Sequence, residues 1–189
     1  MKHQDLLLSK ASSLLLIVDF QERLARAMSQ KDQVEDRIIR LVEIAHQLHV
    51  PCFVTEQYSK GLGSTTPDLA RVLTNCECYQ PIEKLHFSCF GSPEFNTVMK
   101  NYSSRSNLIV TGIETHVCVL QTVHDALMNN YAVYTVADAS TSRSVIDYKY
   151  GLKRMRDMGA HIVTFEMVVF EWLRQAGTPE FKTIHKFIV

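Results

Sequence analysis

Short, wholly apolar runs recur along this sequence and alternate with longer segments of helical period. The first run, Leu14 to Val18, follows two serines and precedes Asp19. A continuous apolar run of this length is typical of a strand buried on both faces of a parallel sheet. Similar runs cover 51–55, 107–111, 132–137 and 160–164, and a weaker candidate spans 79–82. The sequence therefore predicts about six strands.

Two of the intervening segments carry apolar residues at helical spacing. One covers Asp32 to His49, and the other contains Val145, Tyr148, Leu152 and Met155. Further helix signals are Ser92 before Pro93, typical of a capped helix start, and Gly159, typical of a helix end. Strands that alternate with helices form βαβ units. We therefore predict an α/β fold: a three-layer αβα sandwich with a mostly parallel, Rossmann-like sheet of about six strands.

Domain organisation follows from the length of 189 residues and the absence of a composition break. These features predict one domain over residues 1–189. The tail, about 165–189, holds two amphipathic stretches at 165–174 and 180–189. We expect them to pack on this domain or on a partner subunit.

The charge balance bears on the partner. Twenty Lys and Arg residues offset twenty Asp and Glu residues, and the sequence pI is about 7.1. Such a chain has no global field to attract nucleic acid or an anionic membrane. We expect a small-molecule substrate, no nucleic acid and no membrane. The apolar runs are too short for a membrane span or a secretory signal, so we expect a cytoplasmic location.

Five cysteines form an odd set without framework spacing, which favours reduced thiols. Cys76 and Cys78 lie near His86 and Cys89 in sequence, but the spacing lacks the second ligand pair of a structural zinc site. We expect no metal and no cofactor.

Ligands of open α/β sheets bind outside the carboxyl ends of the strands. Three residues there have useful chemistry: Asp19, Lys84 and Cys118. A thiol at a helix start near a lysine is expected to ionise near neutral pH and act as a nucleophile. Taken singly, each has a plainer interpretation: a turn aspartate, a solvated lysine and an inert core cysteine.

Together these positions resemble a known family. The quoted motifs are Asp19-Phe20-Gln21, Lys84 in K-x-x-F-S-x-F, and T-G-I-E-T-x-x-C-V at 111–119. Over about residues 12–165 the chain resembles the isochorismatase-like cysteine hydrolases. The resemblance implies a catalytic triad of Asp19, Lys84 and Cys118. It also implies a cis peptide between Ile113 and Glu114, with the backbone amides of Glu114 and Cys118 forming an oxyanion hole.

One departure from the family pattern concerns metal. Nicotinamidases of this superfamily carry an Asp-x-His metal motif after the second strand, whereas residues 54–63 here contain no histidine. The segment is more similar to the isochorismatase domain-containing proteins. Glu56 is a further pocket candidate, and the substrate-binding residues that we predict are Phe20, Gln21, Gln57, Tyr58, Phe87 and His116.

The function expected from this resemblance is hydrolysis of a small amide, carbamoyl or related carbonyl substrate through a thioester on Cys118. A homo-oligomer is also expected. Two alternatives stay open. One is a non-catalytic binding or interaction module on the same fold, and the other is a redox-sensing thiol with Cys89 as the resolving cysteine.

Overall fold

Six parallel strands form one sheet in the computed structural model, which describes residues 7–188. The spatial order is β3-β2-β1-β4-β5-β6, and every neighbouring pair is parallel. This order reverses direction between β1 and β4, where open α/β sheets bind ligands. The predicted α/β class is confirmed. The strands are β1 Ser13–Val18, β2 Cys52–Gln57, β3 Ile82–Lys84, β4 Asn107–Ile113, β5 Ala132–Thr141 and β6 His161–Val163.

Helices follow most of the strands and cover both faces of the sheet. A short 3-10 helix at Cys89–Gly91 and a π-helical turn at Thr115–Val119 complete the described elements. Within residues 7–188, no helix is both long enough and apolar enough to cross a membrane. The α-helices are α1 Glu22–Ala25, α2 Lys31–Gln47, α3 Ser59–Leu62, α4 Pro67–Asn75, α5 Pro93–Lys100, α6 Leu120–Met128, α7 Val145–Asp157, α8 Phe165–Leu173 and α9 Pro179–His185.

Strand β1 is buried on both faces, as its apolar run predicts. Leu15 and Ile17 pack in a core that also holds residues of α2, α4, α8 and α9. Leu14 and Leu16 pack in a second core with residues of α5, α6 and α7. Because successive strand residues point to opposite faces, the sheet separates the two cores. The result is the three-layer αβα sandwich.

Predicted helix signals are confirmed at two positions. The Ser92 hydroxyl accepts a hydrogen bond from the backbone N–H of Phe95 at the start of α5. Gly159 follows α7 with a φ of 105°. The predicted apolar stripe of α7 is wrong at Val145, which is 59% exposed, because the buried face of this helix passes through Gly151 and Met155.

The two C-terminal helices pack against the core that contains α2. Helix α8 contacts β5 and α2, and Trp172 donates a hydrogen bond of 3.0 Å from its indole N–H to the Ser13 hydroxyl. Ile184 of α9 is fully buried in the same core. The tail thus covers the amino-terminal side of β1.

Gly112 allows β4 to approach β1 closely at the carboxyl end of the sheet. Its φ is 108°, and a Cβ placed on it would lie 2.1 Å from the carbonyl oxygen of Val18. Glycine adopts this left-handed backbone without steric cost. This close approach brings the chain after β4 beside Asp19.

Candidate active site

A buried ion pair joins the ends of β1 and β3. Lys84 Nζ lies 2.6 Å from Asp19 Oδ2, and neither side chain is exposed to solvent. The weak run at 79–82 placed Lys84 after its strand, whereas the structure makes it the last residue of β3. Its side chain therefore begins at the sheet itself and reaches across the carboxyl end of β2.

Three further acceptors hold the Lys84 ammonium group. Nζ donates to Gln57 Oε1 at 2.8 Å and to the backbone carbonyls of His86 and Phe87 at 3.2 and 3.0 Å. A buried cation is stable only when its donors are satisfied. These contacts also fold the 85–88 segment around the lysine.

Asp19 is fixed through both carboxylate oxygens. Oδ2 accepts from Lys84, and Oδ1 accepts a hydrogen bond of 2.7 Å from the Thr55 hydroxyl. The Asp19 backbone N–H donates to the Thr55 carbonyl, and its φ is 50°. Aspartate tolerates this left-handed region better than most residues do. Strand β2 therefore sets the position of the residue that directly follows β1.

Cys118 lies in the π-helical turn between β4 and α6. The Glu114 carbonyl accepts hydrogen bonds from the backbone N–H groups of Val117 and Val119 in this turn. The Ile113–Glu114 peptide is cis, as the resemblance implies. Cys118 is nearly buried, and its thiol lies close enough to Asp19 for the carboxylate to influence the thiol pKa. The structure thus brings Asp19, Lys84 and Cys118 together.

The electrostatics correct the expected ionisation of Cys118. Burial raises the pKa of the Cys118 thiol, and the negative charge of Asp19 raises it further. Lys84 opposes this shift, but its effect on the thiol pKa is smaller than those of burial and of Asp19. The resting residue is therefore a neutral thiol beside a carboxylate, and the expectation of a thiolate at neutral pH is wrong for this state.

The charged pair has its own pKa shifts. Burial raises the pKa of Asp19, although the Lys84 charge and the hydrogen bonds to the carboxylate oppose that effect. Burial alone would lower the pKa of Lys84, but the Asp19 carboxylate together with Cys89 and Cys118 outweighs burial, and the pKa of Lys84 is raised. Lys84 thus stays protonated, and Asp19 is the group beside the thiol that can exchange a proton.

A second thiol, Cys89, lies next to this cluster. Its sulfur is 3.7 Å from the Thr55 hydroxyl, and burial followed by the Asp19 charge raises its pKa to about 11. The Cys89 backbone N–H donates to the Thr122 hydroxyl, and Ser88 donates to Asp125. These bonds attach the loop after β3 to α6. Thr122 and Asp125 are positioning residues; both lie in the stretch 122–126 that continues the family resemblance, although no role was predicted for them.

Two of the predicted substrate-binding residues have other roles. Phe20 is fully buried in the core with α2, so it has no surface to offer a ligand. Gln21 is also fully buried, and its side-chain amide donates to the backbone carbonyls of Gln57 and Gly63 and accepts from the Gln57 N–H. Both assignments to substrate binding are corrected: Phe20 packs the core, and Gln21 joins the ends of β1 and β2.

The remaining pocket candidates fall into two groups. Gln57 contacts Lys84 and donates to the Leu85 carbonyl, so it supports the ion pair. Glu56 points away from the cluster and accepts from Thr65 and Tyr79, which corrects its placement in the pocket.

Tyr58, Phe87 and His116 keep solvent-accessible side chains. Tyr58 and Phe87 are 51% and 52% exposed, and His116 is half-buried with Nδ1 3.0 Å from the Ser142 hydroxyl. A cavity of about 590 Å³ lies beside the loop after β3, and its lining includes Tyr58, Lys84 and Leu85. Of the three, Tyr58 lines this cavity, and substrate binding by Tyr58, Phe87 and His116 stays a prediction.

Two further residues have positioning roles that were not predicted. Thr55 is a fully buried hydroxyl that directly follows the apolar residues at the start of β2, and that placement was the available signal. Arg143 holds the buried Glu114 carboxylate through its Nε and its backbone N–H. Its bonds attach the end of β5 to the turn that carries Cys118.

Metal-ligating side chains are not clustered in the part of the chain described. No group of three or more His, Cys, Asp or Glu residues within 7–188 has a geometry suited to an ion. Cys76 and Cys78 lie near Cys52, at the opposite end of β2 from Cys89. The absence of a metal and of a cofactor stays a prediction.

Comparison with known proteins places this geometry in a family. The model of the isochorismatase domain matches residues 13–167, which span all six strands. The chain belongs to the isochorismatase domain family. The chain is 34% identical over 177 residues to the mouse isochorismatase domain-containing protein 2A, covering 94% of this chain and 82% of that protein.

Solved structures extend the comparison. The MAR1 ribonuclease from Caenorhabditis elegans superposes on this isochorismatase domain with a TM-score of 0.87 at 35% identity, covering 96% of this chain and 91% of that one. The YcaC gene product of Escherichia coli, an octameric hydrolase of unknown specificity, has a TM-score of 0.88 at 22% identity, covering 99% and 92%. The second likeness shows the fold alone.

Proposed function

We propose that this chain is a cysteine-dependent hydrolase of a small amide, carbamoyl or related carbonyl substrate, acting through a thioester intermediate. The convergence of Asp19, Lys84 and Cys118 at the carboxyl ends of β1, β3 and β4 carries the proposal. Together they supply a base, a buried cation and a nucleophile. Membership of the isochorismatase domain family supports a hydrolase.

In the first half-reaction, the Cys118 sulfur attacks the substrate carbonyl carbon while Asp19 accepts the thiol proton. The raised pKa of Cys118 fits this order, because the thiol keeps its proton until the electrophile is in place. The backbone N–H groups of Glu114 and Cys118 are the proposed donors to the developing oxyanion. Asp19 then passes the proton to the leaving amine, and the C–N bond breaks.

In the second half-reaction, water hydrolyses the thioester. Asp19 takes a proton from the attacking water, and the Cys118 sulfur leaves with a proton to regenerate the thiol. Lys84 keeps Asp19 oriented and ionised between the two steps through the 2.6 Å contact. The sum is one amide and one water converted to one carboxylic acid and one amine.

Mass spectrometry tests this proposal directly. The protein is incubated with a panel of primary amides, N-carbamoyl compounds and activated esters and is quenched in acid. We expect an acyl adduct on Cys118 with at least one compound, and loss of both adduct and turnover in Cys118→Ala. Cys76→Ala is the matched control and should retain both. An adduct that persists in Cys118→Ala would contradict the proposed nucleophile.

The alternative is a binding module without turnover. The low exposure of Cys118 and the raised pKa of its thiol favour it, since a buried neutral thiol is a poor nucleophile. Saturable binding of a panel compound, together with no acyl adduct and no product, would identify this case. An RNA substrate belongs in the same panel because the worm relative is named a ribonuclease. We expect no RNA cleavage and retain the predictions of no nucleic-acid and no membrane partner.

Assembly and location complete the proposal. We propose that residues 1–189, of which the structure describes 7–188, form one catalytic domain in a homo-oligomer, supported by the octameric YcaC protein and by the exposed apolar side chains of Leu85 and Phe87 beside the site. Light scattering of the purified chain tests the oligomer, and a monomer at micromolar concentration would contradict it. The cytoplasmic location stays a prediction.

A further inference from the structure

Three cysteines lie together at the end of the sheet opposite the candidate active site. Cys52, Cys76 and Cys78 line a cavity of about 240 Å³, with His46 and His49 also on its wall. Cys52 is the first residue of β2, and Gln57 at the other end of this strand contacts Lys84. Five residues of strand separate them by about 16 Å. The cysteine cluster is therefore distinct from the Cys118 site.

The chain reversal after α4 positions the cluster. The Cys78 N–H donates to the Leu73 carbonyl, and the Glu77 N–H donates to the Thr74 carbonyl, at 2.9 and 3.0 Å. Glu77 has a φ of 56°, in the left-handed region that closes a helix in this motif. The two hydrogen bonds reverse the chain, and Cys78 comes to lie beside Cys52.

Cys52 and Cys78 line the same two cavities and influence each other's ionisation. Their mutual interaction lowers the pKa of Cys78 and raises that of Cys52. The pKa of Cys76 is raised to about 11 by burial and by the negative charges of Cys78 and Glu43. Cys78 is thus the member of the cluster that ionises most readily, and the thiolate is the reactive form.

Small solutes can reach this pair. All three side chains are half-buried rather than enclosed. A second cavity of about 540 Å³ is also lined by Cys52 and Cys78. Redox-reactive cysteines combine thiolate character, access and a neighbouring resolving thiol. Cys78 and Cys52 meet these conditions without any part of the hydrolase site.

We propose that Cys78 and Cys52 form a peroxide-reactive thiol pair, a site of reversible oxidation remote from Cys118. The Cys78 sulfur attacks a peroxide oxygen and the O–O bond breaks, which gives a sulfenic acid on Cys78 and releases water or an alcohol. The Cys52 sulfur then attacks the oxidised Cys78 sulfur, an S–S bond forms, and a second water leaves. Two thiols lose two electrons and the peroxide gains them.

Peptide mapping tests the proposal on the intact protein. The native protein is treated with one equivalent of hydrogen peroxide. It is then unfolded in urea that contains N-ethylmaleimide, which blocks the free thiols, and digested with trypsin. Cleavage at Arg40, Lys60, Arg71 and Lys84 places Cys52 in peptide 41–60 and the other two in peptide 72–84. We expect a cross-link between these peptides that dithiothreitol reverses. Glu-C cleavage after Glu77 then shows which cysteine of 72–84 carries it, without any variant.

Three variants extend the test. Cys78→Ser should abolish the cross-link, and the matched control Cys76→Ser should retain it. Cys52→Ser removes the resolving thiol, so the sulfenic acid should persist on Cys78 and react with dimedone. A disulfide within 72–84, a cross-link that passes through Cys76, or oxidation confined to Cys89 or Cys118 would each overturn the proposal.

Discussion

Lys84 and Asp19 form an ion pair in which both side chains are withdrawn from solvent, with Nζ 2.6 Å from Oδ2. Removing one partner of such a pair leaves the other as an uncompensated buried charge. The lysine also holds the backbone carbonyls of His86 and Phe87. The pair therefore affects both the stability of the fold and the state of the neighbouring thiol.

Lys84→Met is expected to lower the free energy of unfolding by about 3–5 kcal/mol, because Asp19 then lies buried without its cation. Adding Asp19→Asn should restore part of this loss, since the remaining group is neutral. Urea unfolding at neutral pH measures both effects. Lys153→Met, on the exposed face of α7, is the matched control and should change stability by less than about 0.5 kcal/mol. A Lys84 variant as stable as this control would contradict the buried pair.

The alkylation rate of Cys118 reports its ionisation. In the wild-type protein it should be low near neutral pH, because burial and Asp19 raise the thiol pKa. Asp19→Asn should shift the pH profile to lower pH by removing the negative charge, and Lys84→Met should shift it to higher pH by removing the positive one. Iodoacetamide labelling followed by peptide mass spectrometry gives each curve. Three superimposable curves would mean that neither residue acts on the sulfur.

Asp19→Asn separates ionisation of the thiol from catalysis. The variant should ionise Cys118 more readily and yet form the acyl-enzyme more slowly, by about 10²- to 10⁴-fold, because the general base and the proton donor are lost. Single-turnover mass spectrometry with the best compound of the panel measures this rate. Faster acylation in the variant would show that the free thiolate suffices and that Asp19 is not the base.

Alkaline pH should destabilise the protein through its buried thiols. The pKa of Cys89 is about 11 in the fold against an ordinary value of 9.0, so the folded state keeps a proton that the unfolded chain loses. Stability is then full below about pH 9 and falls as the pH rises to about 11, by about 2–3 kcal/mol. The raised pKa of Cys118 adds to this effect. Unfolding curves between pH 8 and 11 should be flatter for Cys89→Ala than for the wild type; parallel curves would contradict the shift.

Gly112→Ala should strongly destabilise the fold. The new Cβ would meet the Val18 carbonyl oxygen at 2.1 Å, and alanine would have to adopt a φ of 108°. Backbone strain of this kind costs at least about 1–3 kcal/mol before the clash is relieved. Thermal unfolding measures the change. Gly159→Ala has a similar φ but open space around it, so the difference between the two variants isolates the steric contact.

Much of the fold is encoded locally. The apolar runs of β1, β2, β4, β5 and β6 are readable because strands buried on both faces need a continuous apolar sequence. Strand β3 has only three residues, one of them exposed, so its run was placed too early. The same error put Lys84 beyond the strand.

Individual roles within the site required the three-dimensional structure. Phe20 and Gln21 follow Asp19 directly in sequence, which suggested a pocket, but both are buried and occupied by the core or by backbone groups. Thr55 and Gln57 contact Asp19 and Lys84 across strands that are distant in sequence. No local sequence pattern encodes which side chains of two adjacent parallel strands will contact each other.

The sequence by itself determined the α/β class, because the apolar periodicity of strands and helices is a local property. It also determined that Asp19, Lys84 and Cys118 lie at or after the carboxyl ends of strands, because residue type and position along the chain are local too. Only the tertiary structure decided that Cys118 rests as a neutral thiol and that Lys84 is satisfied by four acceptors. It also decided that Cys52 and Cys78 line the same cavities. Burial and electrostatic fields depend on every group within a few ångströms, and folding brings those groups from distant parts of the chain.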